Sequence, residues 1–163
     1  MNPEEIRFAA DAMLHLLAKW VRLLGYDCAS TPRLHGRALW ETAVAEHRWV
    51  LTRNRRFAAE MPQSLLSRAE VHPLAGAQLS DQLRELVDRF GLDPVAYCFT
   101  RCLLCNEKLL PVERSQVAQN VPPAVLENRD RFWQCSHCRR IFWEGSHVHY
   151  SIYRLNLWLG TKL

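Results

Sequence analysis

The sequence predicts an α/β fold: a parallel sheet with helices on both faces, followed by a small C-terminal zinc ribbon. Three observations carry this. Short apolar runs alternate with helix-period segments up to about residue 92. Glycine and proline punctuate the alternation at Gly25, Pro32, Gly36 and Gly91. Beyond residue 97, Cys102-Leu-Leu-Cys105 and Cys135-Ser-His-Cys138 form two CxxC pairs separated by 29 residues. Two such pairs can fold back and hold a structural zinc through four sulfurs, leaving no open position for catalysis. The sheet unit is assigned to residues 1–95 and the ribbon with a C-terminal helix to 96–163.

The elements follow in order. Ile6–Ala10 reads as a buried strand closing at Asp11. Residues 12–24 form a helix that is apolar on most sides, stopped by Gly25. Its polar positions, His15, Lys19 and Arg22, follow Asp11 at spacings of four, four and three, which predicts one cationic stripe. Tyr26–Ala29 is a second strand, residues 38–46 a second helix, and Trp49–Thr52 a third strand. Arg53-Asn-Arg-Arg forms the turn after it, and residues 64–67 sit in a connection. Glu70–Pro73 is a weaker strand, and Ser80 is expected to cap an amphipathic helix over 81–90 ended by Gly91.

In parallel sheets ligands bind at the carboxyl ends of strands, so Asp11 and Thr52–Arg56 are expected to meet at one site. No GxGxxG or P-loop supports a nucleotide cofactor.

In the second unit, Leu109–Val112, Phe132–Gln134 and Ile141–Trp143 read as ribbon strands flanking the metal. Val121–Leu126 is a loop or a short helix begun by proline, and 147–159 is a helix that packs back on one of the two units. Arg101, Lys108, Arg139 and Arg140 are placed to offset the charge of a four-thiolate zinc. The metal is expected to hold the segment after residue 97 while leaving the sheet largely independent of it. Trp133, Trp143, His147, His149 and Tyr150 either fill the core of a small module or stack on unpaired bases. His147 is either a packing residue or a general acid/base. Cys28 and Cys98 are left over; they could pair, but in a reducing compartment they read as buried free thiols.

The chain has 163 residues and a net charge of +4, compatible with a nucleic-acid partner. It has no run long and apolar enough for a membrane span, and its first residues lack a signal segment. A cytoplasmic location is expected, where thiols stay reduced for zinc.

Phe8-x-x-Asp11-Ala-Met-Leu-x-x-Leu-Ala-Lys-Trp-x-Arg-Leu-Leu-Gly-Tyr-Asp27 resembles the opening of the Mut7-C RNase domain family, a PIN-like group. The resemblance continues through Ala45-Glu-x-Arg-x-x-Leu-Thr-Arg53, Gln82-Leu, Arg101-Cys-x-x-Cys-Asn, Cys135-x-x-Cys and Trp143-x-Gly-Ser-His147. It implies a PIN-like α/β domain fused to a zinc ribbon, and ribonuclease ancestry. PIN-like nucleases hold Mg²⁺ or Mn²⁺ on several carboxylates at strand ends, and the ions activate water and stabilise the cleaved phosphate.

Asp11 stands where the family's first acid stands. Asn54 replaces the acid of the family's Thr-Arg-Asp, and the acid expected at the start of the second helix is absent from Leu34-His-Gly-Arg-Ala. Glu41 and Glu46 lie on that helix with their direction open. An amide oxygen brings no negative charge, and Lys19, Arg22, Arg53, Arg55 and Arg56 around one acid favour phosphate over Mg²⁺. Arg139 and Arg140 add cations on the ribbon.

Three functions remain open at this point. One is an RNA binder with a degenerate nuclease site, acting on single-stranded or structured RNA, free or within a ribonucleoprotein. Another is a weak Mg²⁺- or Mn²⁺-dependent endoribonuclease with Asp11 and Asn54 as catalytic residues. The third is a protein-interaction module, toxin–antitoxin-like or dimeric, without RNA activity.

Overall fold

A computed structural model describes residues 2–57, 59–61 and 69–162. The expected connection at 64–67 lies outside them. Strands β1 (Arg7–Ala10), β2 (Asp27–Ala29), β3 (Trp49–Thr52) and β4 (Val71–Pro73) form one parallel sheet in the order β2-β1-β3-β4. Helix α1 (His15–Leu23) joins β1 to β2, α2 (Gly36–Ala45) joins β2 to β3, and α3 (Leu79–Phe90) follows β4.

Strand alternation sorts the side chains into two faces. Phe8, Ala10 and Leu51 pack with Leu17 and Val21 of α1 and Leu83, Leu86 and Phe90 of α3. Ala9 and Val50 point the other way, onto Leu39, Trp40 and Ala43 of α2 and onto Phe57. The parallel sheet with helices on both faces is thus as the alternation predicts.

Three local details differ from expectation. The first helical residues, Ala12–Leu14, form a 3₁₀ turn before α1 begins at His15. Ser80 is not the cap of α3: Gln78 takes that position and Leu79 is already helical. Arg114–Val117, a short helix (α4), was not anticipated. Gly91 does end α3 in the left-handed conformation, at φ 59°. At Gly25, φ 92°, an added Cβ would lie 2.2 Å from the Tyr97 carbonyl oxygen, so only glycine lets the second unit close over this turn.

The ribbon is a three-stranded antiparallel sheet, β5 (Leu109–Val112), β6 (Phe132–Cys135) and β7 (Ile141–Trp143), with a small core of Val117, Val121 and Phe132. Trp143 packs partly buried against that core. A short helix, α5 (Pro123–Asn128), begins at a proline. The C-terminal helix α6 (Ser146–Leu159) leaves the ribbon and joins the sheet unit. Leu155 and Trp158 belong to the core of Phe8 and Leu17, Trp158 meets Trp20 of α1 at 4.5 Å between ring centroids, and Arg84 of α3 donates to the Trp158 carbonyl. The last helix of the chain therefore completes the first core. Among the described residues, no helix is long and apolar enough to cross a membrane.

Candidate functional site

The strand order places a topological switch between β1 and β3: the chain leaves β1 toward β2 and returns on its other side as β3. The carboxyl ends of those two strands carry Asp11 and Thr52. The Thr52 hydroxyl donates to Asp11 Oδ2 at 3.0 Å, and the Asp11 amide donates to the Leu51 carbonyl at 2.9 Å. The Thr52 hydroxyl also accepts from the Asn54 amide at 3.1 Å. Asp11 is 8% exposed, so its carboxylate sits at the floor of this end of the sheet.

Asn54 is turned outward from that floor. Its amide nitrogen donates to Glu60 at 2.9 Å, and its side-chain oxygen accepts from the Arg56 amide at 2.9 Å. Glu60 was not singled out in the sequence, because nothing in its spacing marks it. Arg53, Arg55 and Arg56 are exposed around this turn, and Lys19 is exposed on α1.

Arg22 is a correction. The expected stripe Asp11–His15–Lys19–Arg22 shares a helix face, but α1 runs away from the strand ends, and Arg22 lies about 10 Å further along the axis than His15. Its guanidinium is buried and donates to the carbonyls of Cys28 (2.8 Å), Leu103 (2.9 Å), Leu104 (3.1 Å) and Ser30 (3.4 Å). It is closed to phosphate. Glu41 pairs with Arg37 on the exposed side of α2. Glu46 pairs with Arg48 and Arg7, and Arg7 opens β1, so Glu46 lies at the opposite end of the sheet from Asp11.

The second site is built from two matching turns. Cys102 accepts from the Asn106 amide and donates its own amide to Glu107, while Cys135 does the same with Arg139 and Arg140. Asn106 and Arg139, each directly after the second cysteine of its pair, take left-handed conformations at φ 69° and 60°. Each turn thereby points two sulfurs inward. All four sulfurs lie within 4.8 Å of one another, and Cys102 and Cys138 are 3.8 Å apart. Metal–sulfur bonds of about 2.3 Å imply a tetrahedral edge of about 3.8 Å, so the donor set fits a structural zinc. Although desolvation opposes it, the Arg140 amide and the neighbouring thiols pull Cys138 down to about 7, while the bond with Cys138 and burial push Cys105 up to about 12.

The other sequence candidates disperse. Arg139 and Arg140 are exposed on the second turn, whose Ser136 lines a cavity of about 450 Å³ with Arg7 and Asp27 at the amino ends of the strands. They do not join Arg53, Arg55 and Arg56. Arg101 is buried and donates to the Gly25 and Asn106 carbonyls, and Lys108 pairs with Glu4 at 2.6 Å. Trp133 is half-buried beneath Arg131; His147, His149 and Tyr150 are exposed. Burial pushes the Cys28 and Cys98 thiols up to about 12, which keeps them protonated. Cys98 is only partly buried.

Fold and donor set together define a PIN-like α/β protein with a four-cysteine metal module. The family model of the Mut7-C RNase domain matches residues 6–155, and the chain belongs to that family. No curated protein and no solved structure gives a significant match.

Proposed function

We propose that this chain binds RNA at the carboxyl ends of its parallel sheet, over a nuclease site that has lost most of its acids. One observation carries the reading. Among the described residues, the only set of three or more histidine, cysteine or acidic side chains with ligand atoms close enough for one metal is the four-cysteine cluster. At the strand ends one carboxylate, Asp11, is tied to Thr52, and the exposed side chains of the turn after β3 and of α1 include Arg53, Arg55, Arg56 and Lys19, with Glu60 held by Asn54. Two-metal phosphate cleavage needs several anionic oxygens, whereas phosphate binding needs cations. Residual Mg²⁺- or Mn²⁺-dependent cleavage through Asp11, with Asn54 nearby, is the weaker form of the same reading. Family membership supports RNA as the polyanion.

The test uses labelled single-stranded and structured RNA with Mn²⁺. Salt-dependent binding without cleavage, retained in Asp11→Asn, is the expected result. Replacing Arg53, Arg55 and Arg56 together by alanine should lower the salt slope by about 2, at roughly 0.7 per phosphate contact on a single strand. Cleavage abolished by Asp11→Asn would establish the enzyme instead.

A second reading is favoured by a different observation. The outer face of α6 exposes Tyr150, Tyr153 and Leu157 at 57%, 61% and 64%, and α1 exposes Leu16 at 53%, one turn before Trp20. Such a face suits a protein partner or a second copy of the chain. A dimer by light scattering that Leu157→Asp dissolves, with no RNA binding at low salt, would replace the RNA reading by this one.

A further inference from the structure

The first cysteine turn is built into the edge of the parallel sheet. β2 is an edge strand, and its outward Cys28 amide donates to Asn106 Oδ1 at 2.9 Å. The Asn106 amide nitrogen donates to Asp27 Oδ1 at 2.7 Å. Asn106 follows Cys105 directly, so a residue of the metal turn caps the backbone that the edge strand leaves unpaired. Arg101, just before Cys102, donates to Gly25 in the turn that leads into β2.

Arg22 closes the same junction from the other side. It donates to the carbonyls of Leu103 and Leu104, the two residues between Cys102 and Cys105, and to Cys28 in β2. All four of its hydrogen-bond acceptors are carbonyl oxygens. A buried guanidinium served by neutral oxygens still requires a counter-charge. Burial pulls the Arg22 guanidinium below its usual range, so a negative charge nearby would favour it. Asp27 is engaged by Arg48, Arg7 and Asn106. The two carbonyls that Arg22 holds lie between Cys102 and Cys105 in the chain. Four thiolates on one Zn²⁺ carry two net negative charges.

The geometry points to a clasp of Arg22 and Asn106 that couples metal occupancy of the four cysteines to the folding of β2 and α1. Metal loading would bring thiolate charge close to Arg22 and hold the Leu103 and Leu104 carbonyls where its fork can reach them. Coupling of this kind is reciprocal: the clasp strengthens metal binding as much as the metal strengthens the sheet edge. On this proposal the sheet and the zinc share one linked equilibrium, against the expectation that the sheet is independent of the metal. Arg22 and Asn106 act as positioning residues behind the metal ligands, a role whose loss costs about 10–100-fold in metal affinity.

The experiment is run on the full chain with Co²⁺ and Zn²⁺. Metal affinity is measured by chelator competition through the cobalt–thiolate absorption, and hydrogen exchange is followed by mass spectrometry with and without metal. Metal removal is expected to raise exchange in peptides covering Asp27–Ala29 and α1 as well as in the ribbon. Arg22→Gln and Asn106→Ala are expected to weaken Co²⁺ about 10–100-fold. Arg140→Gln, an exposed cation beside the cluster, is expected to change it far less. Arg22→Lys keeps charge without the fork and should fall between. If Arg22→Gln does not fold, Asn106→Ala and the wild-type exchange measurement decide. Unchanged exchange in Asp27–Ala29 on metal removal, or wild-type Co²⁺ affinity in Asn106→Ala, would overturn the clasp. Neither result depends on RNA binding.

Discussion

The strand-end site and the sulfur cluster are assembled from unequal materials. At the cluster, two copies of one turn each deliver two sulfurs, and four donors meet within 4.8 Å. At the strand ends, β1 contributes one carboxylate, β3 contributes a hydroxyl that binds it, and the next polar residue, Asn54, faces Glu60. A turn that repeats needs only one long-range pairing to become a metal site. A strand-end site needs a suitable residue at the end of every strand and at the start of each helix.

The sharpest break in this comparison is Cys138→Ser. Three sulfurs cannot close the tetrahedron, and bound zinc, measured by elemental analysis, should fall from one equivalent to near zero. Because structural zinc binding is itself folding free energy, denaturant melts should show a loss on the order of 5 kcal/mol. Full zinc content with an unchanged midpoint would mean that these sulfurs are not the centre. Asp11→Asn, by contrast, should leave the melt within about 1 kcal/mol of wild type, the scale of one hydrogen bond.

Leu155→Ala asks which region owns the last helix. Leu155 is fully buried against the core of the sheet unit. The cavity should cost about 2–5 kcal/mol, read from loss of protection in α1 and α3. A loss confined to β5–β7 would assign α6 to the ribbon and reverse this part of the comparison.

The smallest effect is on pH dependence. Burial pushes the Asp27 carboxyl up, but hydrogen bonds from Arg48 and Asn106 outweigh it and hold the group below the usual carboxylate range. A depressed carboxylate contributes stability that is complete above its unfolded value and is lost as pH falls through its folded one. Melting midpoints should therefore decline below about pH 4, and Asp27→Asn should flatten that decline. A decline of the same size in Asp27→Asn would separate the junction from acid stability.

Much of the architecture was legible in the chain. Phe8 and Ala10 alternate with Ala9, and the helix-period apolar sets of α2 and α3 are local patterns, so strand and helix identities could be read directly. The cysteine spacing was legible for the same reason. Arg22 was not. Helical spacing says which face a residue shares with its neighbours, but not how far along the sheet that face travels before another segment covers it. Asn106 and Arg48 were missed as partners because their meaning lies in groups far away in sequence: Asn106 reaches Asp27 and the Cys28 amide, and Arg48 reaches Asp27 and the Phe8 carbonyl.

Residue order alone determined the alternation of strands and helices, the four-sulfur centre and the presence of one acid among many cations. Chain packing decided where the cations sit. It buried Arg22 and Arg101 under the cysteine turn, set Arg139 and Arg140 on the ribbon, and left Arg53, Arg55 and Arg56 exposed in the turn after β3. The physical reason is that a charge on a long side chain carries no local preference for water, phosphate or a carbonyl oxygen. Which of these it meets depends on what the rest of the molecule places within a few ångströms of it.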